Sequence, residues 1–315
     1  MSMELELKFL VATADSTKLP ALLATCGNLT DKGPATLLNA YYDTPDNWFR
    51  RHNMGLRSRL KNGCFEQTIK LAGQQHGALQ ARPEYNLPAA DIVPELAAFP
   101  AEIWPEGTNI TTLQQQLTEI FRTDFIRHNW QLVTGDSLLD VVYDCGEVIA
   151  ADKTERITEL ELELLSGKIN PLFSVAKHLI SKLPLRTGWL SKAARGYLLA
   201  GKQQLSKPLS GQQGLIANLT ALQGTEALYY RQRADLTDQA LHLPLLEQAG
   251  HYLQSLSDEL TALQYHDYSE QAAALAGQVL QGIEVFELPL YNSFLLSLSQ
   301  LLLQQSNLAT GDQTL

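Results

Sequence analysis

Apolar and charged residues alternate with a period of two in two separate stretches of the chain. Near the start, Glu4, Glu6 and Lys8 alternate with Leu5, Leu7 and Phe9; later, Glu159, Glu161 and Glu163 alternate with Leu160, Leu162 and Leu164. Successive side chains of a strand point to opposite faces, so each stretch has one apolar face and one charged face. Glu and Lys are depleted in strands, and like charges facing one another destabilise a sheet. Taken alone, each stretch also fits an antiparallel strand with its polar face in water. Two acidic-faced strands together call for cationic neighbours or metal ions.

The rest of the pattern predicts further elements. Leu19, Leu22 and Leu23 mark a helix over residues 16–29, and residues 37–43 read as a strand followed by the turn Thr44-Pro45-Asp46-Asn47. Asn62-Gly63 between residues 54–60 and 64–71 is a two-residue hairpin signal. That register sets Arg59 opposite Glu66 and Arg57 opposite Thr68, with Lys70 further along the same face. Residues 74–77 read as a loop, and 80–87 as a strand on which Arg82, Glu84 and Asn86 share a face. Residues 91–112 hold Pro94, Pro100, Pro105 and Gly107 and predict a loop with short helical turns. A short helix is expected over 113–121. Strands follow over 124–133, 138–144 and 147–151, the last two joined by a tight turn at Cys145-Gly146. Asn170-Pro171 opens a helix to about residue 183, and Ser191 caps another through residue 199, with Lys192 and Arg195 on one side. Residues 201–214 are polar and rich in Gly, Ser and Pro. Beyond them the spacing is helical, as in Leu245, Ala249, Tyr252 and Leu256.

Length and charge narrow the choice. A chain of 315 residues is long enough for two domains. Residues 1–207 hold 22 Lys+Arg and 23 Asp+Glu (net −1), whereas residues 208–315 hold 2 and 11 (net −9). The acidic second part is poor material for binding nucleic acid or any polyanion. No run approaches 18 apolar residues, so no membrane span is expected. Cys26, Cys64 and Cys145 are far apart and lack metal-ligand spacing; with no apolar leader, they fit a reducing, cytoplasmic setting.

The charged face collects Glu4, Glu6, Lys8, Arg57, Arg59, Glu66, Lys70, Arg82, Glu84, Arg127, Asp140, Asp144, Glu159, Glu161 and Glu163. Closing the sheet into a barrel removes its edges and turns this face inward. A lining of both signs is costly unless something is bound, and a polyanion with divalent metal ions satisfies both. ExExK at Glu4, Glu6 and Lys8, GLRSR, the strands of Lys70 and Arg82-Pro-Glu84, ELELELL and LSKAARGY together resemble the CYTH superfamily of triphosphate tunnel metalloenzymes. The resemblance covers about residues 1–202 and is similar to bacterial inorganic triphosphatases in which a CYTH domain precedes a CHAD domain.

The resemblance implies an α+β fold. An eight-stranded antiparallel β-barrel (a tunnel) with flanking helices would occupy residues 1–202, and a linker 203–214. A smaller all-α domain, either a shortened, degenerate CHAD-like bundle or an unrelated appendage, would occupy 215–315. It implies metal-dependent hydrolysis of inorganic triphosphate to pyrophosphate and phosphate. Relatives leave open thiamine triphosphate, nucleoside triphosphates, RNA 5′ ends or ATP cyclisation, and a non-catalytic polyphosphate- or nucleotide-binding module is the third reading. Carried over by position, Lys8, Arg57, Arg59, Lys70, Arg82, Arg127, Lys192 and Arg195 would grip phosphate oxygens. Glu4, Glu6, Glu161, Glu163 and Asp144 would hold Mg²⁺ or Mn²⁺, and Glu4, Glu6 and Lys8 would be catalytic.

Overall fold

The computed structural model describes residues 2–208, 211, 213–235 and 243–305. Ten strands form one antiparallel sheet: β1 (Ser2–Leu10), β2 (Asn28–Asp43), β3 (Gly55–Lys61), β4 (Cys64–Lys70), β5 (Gln74–His76), β6 (Leu79–Ala89), β7 (Thr118–Thr134), β8 (Ser137–Ala150), β9 (Lys153–Ser166) and β10 (Arg186–Thr187). Their order is β10-β1-β9-β8-β7-β2-β3-β4-β6-β5, and β1 also pairs with β6. That last pairing closes eight strands into a barrel, with β5 and β10 outside the ring. The helices are α1 (Thr13–Ser16), α2 (Leu19–Ala24), α3 (Trp48–Arg51), α4 (Ile110–Gln116), α5 (Asn170–Lys182), α6 (Lys192–Leu199), α7 (Leu215–Asp235), α8 (Leu243–Ala262), α9 (His266–Leu280) and α10 (Pro289–Gln305).

The expected hairpin of β3 and β4 forms in the expected register, Arg59 against Glu66 and Arg57 against Thr68. Asn62 and Gly63 both take positive φ (51° and 79°), as a two-residue turn between twisted strands requires. Ser191 caps α6 as its sequence suggests, its hydroxyl accepting from Ala194 N at 3.1 Å. Residues 91–112 hold only short turns at Leu96–Ala98 and Ala101–Ile103 before α4.

Four expectations are corrected. The helix over 16–29 is shorter, because residues from Asn28 onward pair with β7 (Asn28 against Val133). A register shift between Asp31 and Gly33 lets Pro34 lie inside β2. The helix over 113–121 ends at Gln116, and Phe121 instead sits in β7 opposite Tyr41. Residues 74–77, read as loop, contribute β5. Cys145-Gly146 is no turn: β8 runs straight through it. A Cβ on Gly146 would stand 2.1 Å from Asp124 O and 2.5 Å from Phe125 Cα, so glycine here permits close approach of β7. The reversal comes after β8, where Ala151 takes φ 52°.

The apolar sides of β1, β8 and β9 pack under α2 and α5, with Leu7, Phe9, Val141, Leu160 and Leu162 against Leu23, Phe173, Ala176 and Leu179. Each such side chain, fully buried, contributes roughly 1.5–3 kcal/mol. A second cluster joins α7–α10. The two meet at α10, whose Leu296 and Leu303 belong to the barrel's cluster. Asn292 Oδ1 accepts from Thr187 N and Oγ1 at 2.8 and 2.9 Å, and Ser299 Oγ accepts from Ala78 N at 2.7 Å. Positions 209, 210 and 212 of the expected linker lie outside the described residues. Among the described residues, no helix is long and apolar enough to cross a membrane.

Candidate active site

The barrel encloses a cavity of about 300 Å³. Because the charged residues of each strand share one face, they converge on it: Glu4, Glu6 and Lys8 from β1, Arg57 and Arg59 from β3, Glu66 and Lys70 from β4, Arg82 and Glu84 from β6, Arg127 from β7, Asp140 from β8, and Glu161 and Glu163 from β9. Lys192 enters from the first turn of α6.

Charges on one side of the wall compensate each other. Lys192 Nζ lies 2.6 Å from Glu159, 2.8 Å from Asp144 and 2.8 Å from Glu161. Arg127 donates two bonds of 2.7 Å to Asp144 and a third of 3.0 Å to Glu161. Burial pushes the Asp144 and Glu161 carboxyls up, but Lys192 with Arg127, and Lys192 with Lys8, more than offset it and hold both below the usual range. Lys70 pairs with Glu4 and, at 3.3 Å, with Glu84.

Elsewhere charge of one sign is left over. Arg57, Arg59 and Arg82 form no ion pair among the described residues. Arg57 Nε is buried without a hydrogen-bond partner, and Arg59 Nε donates to the neutral Asn39 Oδ1 at 2.7 Å. The cross-strand pairing of Arg59 with Glu66 does not become an ion pair. Burial, and then the charges of Arg57 and Arg127, bring the Arg59 pKa down to about 9.

The acidic counterpart is a row across three strands, where Glu6 stands opposite Glu163 and Glu163 opposite Asp140. Burial, reinforced by Glu4, Glu6 and Glu84, pushes the Glu163 carboxyl up to about 8. Like charges in register destabilise a sheet, so this row has room for a cation. Carboxylate oxygens are the donors that Mg²⁺ and Mn²⁺ prefer. Among the described residues, no three His, Cys, Asp or Glu side chains are arranged to hold one ion as they lie. The crowding of Glu4, Glu6 and Glu163 still fits a divalent cation, whose charge would relieve it.

Two expected site residues stand apart from the cavity wall. Asp144 is fully buried and committed to Arg127 and Lys192. Arg195 is buried beside a second pocket rather than the tunnel cavity, its guanidinium paired with Glu155 and Glu159. It therefore reaches Lys192 only through the shared Glu159. Sequence reasoning missed Arg50, Tyr41, Gln80 and Tyr197, which also line the cavity. Tyr41 and Gln80 continue the inward faces of β2 and β6 and were legible by alternation. Arg50 sits on the four-residue helix α3, too short to show a period.

Residues 2–197 match the family model of the CYTH domain. An inorganic triphosphatase of Haemophilus influenzae is 35% identical over 207 residues, covering 65% of this chain and 57% of that protein. The chain thus spans little more than half the length of that relative. Among solved structures, HpAC1 from Hippeastrum, an adenylyl cyclase candidate with a dominant triphosphatase activity, is 15% identical. The alignment covers 64% of this chain and 97% of that one, with a TM-score of 0.43. An adenylate cyclase candidate from Bacillus halodurans is 18% identical, with 57% and 90% covered and a TM-score of 0.37.

Proposed function

The chain belongs to the CYTH family, and from that premise we propose that its tunnel hydrolyses inorganic triphosphate to pyrophosphate and phosphate with Mg²⁺ or Mn²⁺. The observation that carries this reading is that charge of both signs converges on one cavity and is only partly paired there. Among the described residues Arg57, Arg59 and Arg82 form no ion pair, while Glu163 stands between Asp140 and Glu6, and in that row only Glu6 has a cation, Lys8 at 3.6 Å. A protein that only bound anions would gain nothing from that row. The Haemophilus relative, itself an inorganic triphosphatase, points the same way.

In this mechanism Lys8, Arg57, Arg59, Lys70, Arg82, Arg127 and Lys192 bind phosphate oxygens and offset the charge that develops on them. Arg195 acts as a positioning residue that holds Glu159 beneath Lys192. Glu4, Glu6 and Glu163 would hold the metal, and Glu161 would join them once Lys192 and Arg127 turn toward phosphate. A bound divalent ion supplies Lewis-acid neutralisation of phosphate oxygens. A carboxylate of the β1–β9 wall accepts the proton of water as its oxygen bonds to the terminal phosphorus. The bridging P–O bond then breaks and pyrophosphate leaves.

The aromatic lining favours inorganic triphosphate over organic ones. Tyr41 is stacked on Phe121 at 4.5 Å, and Phe125 lies under Lys192 and Arg127 at 5.4 and 5.7 Å. These rings are already engaged and offer little free face to a base or thiazole. The region beyond residue 214, whether a shortened CHAD-like bundle or an unrelated one, serves in this reading as support for the barrel. Its two cations, Arg231 and Arg233, are paired with Glu155 and Glu284 at 2.8 and 3.5 Å.

The test is phosphate release from tripolyphosphate, ATP and thiamine triphosphate, each with Mg²⁺ and with Mn²⁺, by the wild type and Glu4→Gln. The reading requires preference for tripolyphosphate and loss of release in the variant. Preference for ATP or thiamine triphosphate would move the assignment to an organic substrate. No release from any of them would leave a binding protein.

A further inference from the structure

Arg50 approaches the tunnel from outside the eight strands. α3 lies between the end of β2 and the start of β3, so Arg50 reaches the cavity from the rim that these strand ends form. Its nearby carboxylate, Asp43, is fully buried and already committed to neutral donors. Asp43 accepts from the backbone N–H groups of Thr44, Phe49 and Arg50 at 2.8, 2.9 and 3.1 Å, and from Tyr197 OH at 2.6 Å. These bonds fix α3 and spend the acceptor capacity that could have neutralised the guanidinium. Arg50 Nε instead donates to Gln203 Oε1 at 2.9 Å, and the guanidinium carbon stands 5.6 Å from the centre of the Tyr197 ring. Neither Nη1 nor Nη2 makes a hydrogen bond among the described residues. Burial, with the charge of Arg82 adding to it, lowers the Arg50 pKa. A half-buried cation that has two free donor nitrogens and forms no ion pair among the described residues is costly unless an anion arrives.

We infer that Arg50 is a further anion-binding residue of this tunnel, placed at its rim to take the phosphoryl group at the outer end of a bound linear polyphosphate. The inference rests on the triphosphatase reading and deepens it, because it assigns to Arg50 a role in recognising chain length. Gln203 aims the side chain through Nε and leaves both terminal nitrogens for the ligand. Arg50 touches the anion away from the acidic row, so its loss should weaken binding and leave the chemical step intact.

The experiment is steady-state hydrolysis of tripolyphosphate and tetrapolyphosphate by the full chain, with pyrophosphate as a competing inhibitor, as wild type, Arg50→Gln and Arg50→Lys. Melting temperatures serve as the control for folding. Losing a charge-assisted contact predicts a rise in KM of about tenfold for tripolyphosphate and tetrapolyphosphate in Arg50→Gln. The same account predicts unchanged kcat, a smaller effect on inhibition by pyrophosphate, partial recovery in Arg50→Lys and an unchanged melting temperature. An unchanged KM would overturn the inference, as would a joint fall of kcat and melting temperature that Lys does not rescue. If the wild type hydrolyses none of these anions, the underlying reading fails first, and calorimetric titration of tripolyphosphate decides Arg50 separately. Binding weakened by Arg50→Gln supports its role; equal binding removes it.

Discussion

Replacing Glu226 by Gln should stabilise the protein at neutral and alkaline pH and leave it unchanged near pH 4. Glu226 is buried on α7 between the barrel and the helices. Its Oε2 accepts from Trp189 Nε1 and from Tyr291 OH at 3.0 Å, while Oε1 is buried without a partner. The charged and titratable groups around it are Arg186, Glu284, Tyr230 and Tyr291, and of these only Arg186 is cationic. Burial outweighs the opposing pull of Arg186 and raises the carboxyl from 4.5 to about 7. The folded state therefore holds this proton more tightly than the unfolded chain does. Stability from this group is fully present below pH 4.5, falls as pH rises through about 7, and is flat above. A shift of 2.5 units at about 1.4 kcal/mol per unit corresponds to a loss of roughly 3 kcal/mol between those limits. Glutamine cannot ionise, and its carbonyl can accept the same two bonds. The assay is urea denaturation of wild type and Glu226→Gln at pH 4.5 and pH 8. The variant's midpoint should exceed the wild type's at pH 8 and match it at pH 4.5. An equal midpoint difference at the two pH values would refute the argument, because it would mean that folding does not raise the pKa of this carboxyl.

Three further outcomes are expected. Lys192→Ala takes one of two cations from each of the buried carboxylates Asp144 and Glu159, leaving them Arg127 and Arg195, and should cost about 3 kcal/mol, read as a large drop in melting temperature. Lys192→Arg should recover only part of it. Gly146→Ala drives a methyl group into Asp124 O and Phe125 and should destabilise by several kcal/mol, on the order of 3. It would otherwise be a conservative change, so unaltered stability would show that β7 can move away. Arg59→Ala should raise the tripolyphosphate KM by about 10–100-fold with little loss of stability, since Arg59 pays for burial with no ion pair; a marked loss of stability with unchanged KM would contradict this.

Much of the tunnel was legible because strand alternation is a local property. The charges of β1, β3, β6 and β9 reach one cavity from a period of two, and Asn62-Gly63 fixes the β3–β4 register. What failed depended on partners distant in sequence. Gly146 looks like turn chemistry, but its smallness serves the approach of Asp124 and Phe125 on β7. Phe121 continues a helical spacing, yet Tyr41 opposite and the ring contact between them hold it in a strand. Asp144 was placed on the correct face of β8, but its capture by Arg127 and Lys192 arises only when β7 and α6 meet. Arg195 shares a side of α6 with Lys192 in the sequence, but Glu155 and Glu159 on β9 hold it beside a second pocket, away from the tunnel cavity. Arg50 carried no periodic signal at all, because Asp43 rather than repeated spacing positions α3.

The central claim is that the two-signed tunnel cleaves a linear triphosphate once, with a divalent ion. A ³¹P NMR time course of tripolyphosphate with the full chain and Mg²⁺, followed by a chelator-treated control, tests it most directly. The account predicts that the tripolyphosphate resonances give way to pyrophosphate and orthophosphate in equal molar amounts, and that the chelator stops the change. A spectrum that stays unchanged with Mg²⁺ and with Mn²⁺, or cleavage that proceeds equally in the presence of chelator, would contradict it.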